Sequence, residues 1–157
     1  MFRDITPLLR DAAAFKEAIR RMAGPYEKGG VDVVVGAESR GFIFGAAMAL
    51  VLGAGFVPVR KKGKLPAKTT SATYDLEYGT DTLEMHTDAV TAGTRVLMVD
   101  DLLATGGTMA ASCGMVQKAG GQIVGVEFLI ELSFLHGREK LKAYPVRSEI
   151  VFENELP

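Results

Sequence analysis

Val96-Leu97-Met98-Val99-Asp100-Asp101-Leu102-Leu103-Ala104-Thr105-Gly106-Gly107-Thr108 is an apolar run that passes into two carboxylates and then into a small-residue loop. Arg95 to Val99 suits a buried parallel strand. Thr108 to Lys118 carries Met109, Cys113, Val116 and Gln117 at helix-compatible spacing. The loop therefore joins the carboxyl end of a strand to the amino end of a helix. In an open α/β sheet that junction is where ligands sit, and the free N–H groups of a first helical turn favour an anion. Gly106 and Gly107 let the backbone turn several N–H groups inward, and the hydroxyls of Thr105 and Thr108 add donors without bulk. These features describe a pocket for a phosphate monoester. Asp100 and Asp101 would repel that phosphate, so they are expected to face something else. Vicinal ribose hydroxyls suit them, held directly or through a hard cation such as Mg2+. The plainer alternative is that Asp101 caps the next helix and the glycines only make a turn.

Bulk composition bounds the rest. The 157 residues suffice for one domain with a sizeable core, and two domains would each be marginal. With 18 basic and 19 acidic residues, net charge implies no nucleic-acid or anionic-membrane partner. No apolar run reaches membrane-spanning length, and Met1-Phe2-Arg3-Asp4 lacks the apolar core of a signal peptide. A cytoplasmic location is expected. The single cysteine, Cys113, cannot form an internal disulfide and is read as a packing residue. His86 and His136 stand in no readable motif and are assigned structural or surface roles.

Along the chain, helices and strands alternate without repeats. Thr6-Pro7 and Asp11 offer helix starts, and Phe15, Ala18, Ile19 and Met22 mark one apolar face as far as Gly24-Pro25. Val31 to Val35 reads as a buried strand, followed by a helix with its body from Phe42 to Leu52 that ends at Gly53-Ala54-Gly55. Phe56 to Val59 is the next strand. Arg60 to Ser71 is expected to be an exposed, mobile loop, and Thr73 to Tyr78 and Thr82 to His86 an antiparallel pair joined by Gly79-Thr80-Asp81. Ile123 to Leu132 follows as a long strand, Phe134 to Leu141 as a short helix and Ile150 to Phe152 as an edge strand. This order predicts a single-domain α/β fold, an open and mainly parallel twisted sheet flanked by helices, with a small antiparallel hairpin.

The thirteen-residue string resembles the phosphoribosyl pyrophosphate (PRPP) signature of the type I phosphoribosyltransferases, and its Leu-Leu-Ala-Thr-Gly-Gly-Thr ending is similar to the adenine-specific branch of that family. Four other segments carry the same resemblance, which runs from Phe2 to about Leu141. Phe2-Arg3-Asp4-Ile5-Thr6-Pro7-Leu8-Leu9 is similar to the family's hood over the purine, here residues 1–10. The resemblance implies that Phe2 and Leu102 sandwich adenine, with Arg3 and Arg40 also on the base; as an ordinary residue, Phe2 could equally be a core aromatic. It also implies a further amino-terminal segment. Here Phe2 follows Met1, so either the chain starts short or its start is set too late, and a shortened hood is expected to leave the base pocket open.

Ala37-Glu38-Ser39-Arg40-Gly41-Phe42 opens a helix and resembles the family's pyrophosphate loop, with Glu38 where an aspartate is expected. The resemblance implies a cis peptide, expected at Glu38-Ser39, and Arg40 can present a planar fork of donors to phosphate oxygens. Alternatively, Ser39 is just an N-cap and Arg40 a solvated charge. Val59-Arg60-Lys61-Lys62-Gly63-Lys64-Leu65-Pro66 sets four cations in five positions. A charge run is usually a solvated surface. The resemblance gives Arg60, Lys61 and Lys64 to pyrophosphate and implies a homodimer in which the Arg60 region lies near the neighbouring site. Tyr74 to Glu84 is similar to the family's catalytic lid, part of a loop and hairpin spanning residues 60–86. The match gives Glu77 to the imidazole edge of the purine and Tyr78 to the reacting sugar, whereas a surface hairpin is the plain reading.

The implied reaction moves the 5-phosphoribosyl group of PRPP to adenine with Mg2+, giving AMP and pyrophosphate. Asp100, Asp101, Ala104, Thr105, Gly106, Gly107, Thr108, Glu38, Ser39, Arg40, Arg60, Lys61 and Lys64 would hold PRPP. No direct protein ligand to the metal is implied beyond water-mediated contact from Asp100 and Asp101. Two rival readings remain: a PRPP- or purine-sensing regulator of the same fold, and a phosphoribosyltransferase for another base such as xanthine or orotate.

Overall fold

The computed structural model describes residues 3–155. Helices α1 (Thr6–Arg10) and α2 (Ala12–Ala23) lead to strand β1 (Val33–Ala37), then α3 (Arg40–Leu52), β2 (Gly55–Lys61), β3 (Thr69–Asp75), β4 (Thr80–His86), β5 (Arg95–Leu103), α4 (Gly107–Lys118), β6 (Gln122–Leu132) and β7 (Val146–Phe152). The strands form one sheet in the order β3-β4-β2-β1-β5-β6-β7. β2-β1-β5-β6-β7 are parallel, while β4 runs antiparallel to both β2 and β3.

Strand alternation sends neighbours to opposite faces, so the apolar central strands feed two cores. Val34, Leu97 and Val99 pack with Ile19 and Met22 of α2 and Phe44 and Met48 of α3. Val35 and Met98 join Met109, Cys113 and Val116 of α4 on the other face. α2 is set by its Asp11 cap, whose carboxylate accepts from the Ala14 N–H at 2.9 Å. α3 ends at Gly53 with φ 64°, a left-handed conformation that suits glycine.

The order of the sheet reverses at β1: the chain moves outward to β2, then returns to place β5 on the other side of β1. That switch point opens a crevice beyond the carboxyl ends of β1 and β5, the expected ligand position of an open α/β sheet.

Several boundaries differ from the expectations. β2 runs through Arg60 to Lys61 because it pairs with β4 at Arg60↔Glu84 and Lys61↔Leu83. β3 likewise begins at Thr69, opposite His86. The connection expected over Arg60 to Ser71 therefore shrinks to residues 62–68, and the hairpin turn falls at residues 76–79 rather than Gly79-Thr80-Asp81. The helix expected over Phe134 to Leu141 is two 3-10 turns, Ser133–Leu135 and Gly137–Leu141, separated by His136 with φ 55°. The last strand starts four residues earlier than Ile150 because Val146 already pairs with Val126.

Candidate active site

β5 does not stop before its acids. It continues through Asp100 and Asp101 to Leu103, because Asp100, Leu102 and Leu103 pair with Phe128, Ile130 and Glu131 of β6. Asp101 is buried, and its Oδ2 lies 2.7 Å from Nε of Arg40, the first residue of α3. It is therefore not a helix cap; that position belongs to Gly106, with φ 84°. Asp100 Oδ1 accepts from the Asp101 N–H at 2.8 Å. It also sits where a side chain on residue 41 would go, since a Cβ on Gly41 would come within 2.8 Å of it. Only glycine allows α3 to start this close to the acid.

Burial and the adjacent Asp101 charge push the Asp100 carboxyl well above the usual carboxylate range. One acid is thus paired with a guanidinium and the other retains its proton to higher pH. That arrangement reduces the repulsion between the pair and an anion in the next loop.

The peptide between Glu38 and Ser39 is cis, as the family resemblance implied. The Ser39 hydroxyl makes no capping hydrogen bond to α3. Glu38 reaches sideways: its Oε1 accepts from the Lys61 N–H at 2.5 Å and lies 3.5 Å from Nε of Arg60, which ties the loop to the end of β2. Arg60 is half-buried and its Nη1 donates to the Lys64 carbonyl at 3.4 Å. Lys61 is exposed with Nζ 3.6 Å from Asp81 Oδ2, and Lys64 is exposed.

These elements enclose a cavity of about 810 Å³, lined by Glu38, Ser39, Arg40, Lys61, Glu77, Asp100, Asp101 and Leu102 and by the whole loop from Ala104 to Thr108. That volume is within the range of small-molecule sites. Arg60, Lys64 and Tyr78 do not line it; Tyr78 is 87% exposed at the hairpin turn. Arg3 stands apart too, its guanidinium carbon 4.3 Å from the centre of the Phe152 ring on β7. Phe2 lies outside the described residues. The hairpin folds over the loop: a Cβ on Gly107 would be 3.4 Å from Cδ2 of Tyr74 and 4.0 Å from the Asp75 carbonyl oxygen.

Met109 and Phe128 also line the cavity and were missed as site residues. Both read locally as core apolar residues. Phe128 joins the site only through its register opposite Asp100, which no local pattern reveals.

Among the described residues no group of three or more His, Cys, Asp or Glu side chains could hold a metal ion. Asp100 and Asp101 alone fit the usual manner of Mg2+, which keeps several waters and takes one or two carboxylates together with substrate phosphates.

The family model for the phosphoribosyl transferase domain matches residues 6–156. The adenine phosphoribosyltransferase of Clostridium kluyveri is 57% identical over 152 residues, covering 97% of this chain and 88% of that protein. The enzyme of the same name from Roseiflexus sp. is 57% identical over 151 residues, 96% of this chain and 88% of its own. Among solved structures, the Thermoanaerobacter pseudethanolicus adenine phosphoribosyltransferase superposes with a TM-score of 0.93 at 55% identity, covering 96% of this chain and 88% of that one. The Saccharomyces cerevisiae enzyme, solved with an imino-altritol bisphosphate and adenine, gives 0.88 at 42% identity over 94% of this chain and 86% of its own. With a family model over residues 6–156 and relatives of this identity covered over most of their length, the chain belongs to the adenine phosphoribosyltransferase family.

Proposed function

We propose that this chain works as one phosphoribosyltransferase domain that transfers the 5-phosphoribosyl group of PRPP to adenine, releasing pyrophosphate and forming AMP. The observation that carries the reading is the partly neutralised Asp100-Asp101 pair at the mouth of the loop from Ala104 to Thr108, both facing one cavity. The loop supplies N–H and hydroxyl donors for the 5-phosphate. The acids take the ribose hydroxyls, and their residual negative charge favours the oxocarbenium character that grows at the anomeric carbon as the leaving group departs.

Ser39, Arg40 and Lys61 line the same cavity and are assigned to pyrophosphate, with Glu38 holding the Lys61 backbone in place. Lys64 would join them by movement of the connection at residues 62–68, Arg60 by release of its side chain from the Lys64 carbonyl, and Tyr78 by movement of the hairpin turn. Glu77 lines the cavity already and is assigned the proton exchanged with the purine ring. Leu102 offers an apolar face to the base, and Phe2 and Arg3 are assigned to that end on the family resemblance alone, Arg3 stacking on Phe152 outside the cavity. Mg2+, when bound with PRPP, would neutralise charge on the departing pyrophosphate, with Asp100 and Asp101 holding it through water. Closure of the hairpin would keep water from the anomeric carbon.

The proposed working form is a cytoplasmic homodimer. Dimerisation is supported by the outward face of α3, where Leu50 is 85% and Val51 53% exposed beside Ile43. Sedimentation velocity reads this directly, and a monomer would remove the dimer from the account.

AMP formation from PRPP, adenine and Mg2+, followed by chromatography, tests the site. The Asp100→Asn/Asp101→Asn variant should lose about a hundredfold or more in kcat/KM. Activity equal to that of the parent chain would overturn the assignment of the acid pair.

A further inference from the structure

The 3-10 turn Gly137–Leu141 backs directly onto the anion loop. A Cβ on Gly106 would stand 2.5 Å from the Gly137 carbonyl oxygen, so these two glycines let the turn and loop interlock. The turn is fixed from behind by Arg138, whose Nε and Nη2 each donate at 2.8 Å to the buried Glu131 carboxylate of β6, and whose Nη1 donates at 2.9 Å to the Val146 carbonyl of β7. Two residues further on, Lys140 extends its ammonium over the start of α4: Nζ lies 3.9 Å from where a Cβ on Gly107 would be.

That position is electrostatically odd. The amino end of a helix is its positive end, and its first N–H groups lack helical partners. α4 has no acidic residue in its first turn and no side-chain cap. Lys140 makes no hydrogen bond or ion pair with any described residue. An unpaired ammonium and a positive helix end therefore share one space, and such an arrangement is stabilised by an anion lying between them.

We propose that Lys140 is a further substrate-binding residue, a cation that contacts the 5-phosphate held by the loop from Ala104 to Thr108. The Glu131–Arg138 pair acts through it as a positioning element. The inference rests on the phosphoribosyltransferase reading above and assigns a residue outside the signature string. In sequence Lys140 looks like one more exposed lysine, because its approach to Gly107 depends on the interlocked turn.

The test is equilibrium binding of AMP and of adenine, measured by calorimetry on the full chain and on its K140M and K140R variants, with thermal melting as a check on folding. K140M should weaken AMP about tenfold, leave adenine unchanged and melt with the parent chain; K140R should recover most of the loss. Equal AMP affinity in K140M and the parent overturns the assignment of Lys140 alone, and so does an equal loss for both ligands. A parent chain that binds no AMP overturns the underlying functional reading and the inference with it.

Discussion

Asp100 and Asp101 are adjacent in the chain, yet the protein treats their charges differently. Asp101 is paired with Arg40 at 2.7 Å, while burial and the neighbouring charge push the Asp100 carboxyl well above the usual carboxylate range. The same physics acts on the other side of the sheet at Glu127. Burial, helped by the neighbouring Glu149 carboxylate, pushes its carboxyl up to about 8 even though Arg147 Nη1 is 3.5 Å from it and the Tyr26 hydroxyl donates to it at 3.1 Å. The folded chain therefore holds a proton that the unfolded chain has released between its ordinary value of 4.5 and about 8. Stability from this group is fully present below 4.5 and is lost as pH rises through about 8. Thermal melting across that interval should fall more steeply for the parent chain than for Glu127→Gln, and parallel curves would show that Glu127 is ionised in the fold.

At the scale of elements, the site depends on close approaches between pieces distant in sequence. Gly106, with φ 84°, faces the Gly137 carbonyl at a spacing that leaves no room for a methyl group. Gly106→Ala should cost about 2 kcal/mol or more in stability, from backbone strain and overpacking together, and should raise KM for PRPP. Unchanged melting and KM would mean that the turn is not a wall of the loop. The sequence made the strand, the loop and the helix start legible because each has a local signature: an apolar run, paired glycines, helical spacing. It did not show that β5 runs on through its acids or that β2 and β3 lengthen, since those ends are set by pairing with β6 and β4. The short helix expected after β6 breaks at His136, where the chain bends back to meet Ala104 and Gly106. Of the residues assigned through motif resemblance, Glu38, Ser39, Arg40, Lys61, Glu77, Asp100, Asp101, Leu102 and Ala104 to Thr108 line one cavity, while Arg60, Lys64 and Tyr78 do not. Phe128, which also lines the cavity, had no local signal because register brings it in, and the approach of Lys140 to Gly107 likewise depends on a tertiary turn.

For the whole molecule, the reversal of strand order at β1 brings three separate segments to one crevice: the loop at Glu38-Ser39, the loop after β5 and the hairpin from β3 to β4. Each segment alone is a common structural part. Their convergence on one cavity that gathers Arg40, Lys61 and a partly neutralised acid pair is what favours phosphoribosyl transfer. In the proposed reading the choice of base rests on the Leu102 end of the cavity and on Glu77. Pyrophosphate release from PRPP and Mg2+ should therefore be measured with adenine, hypoxanthine, guanine, xanthine and orotate offered separately. Release is expected with adenine and little with the other four; release with another base in preference to adenine, or binding of PRPP with no release for any base, would contradict adenine phosphoribosyl transfer.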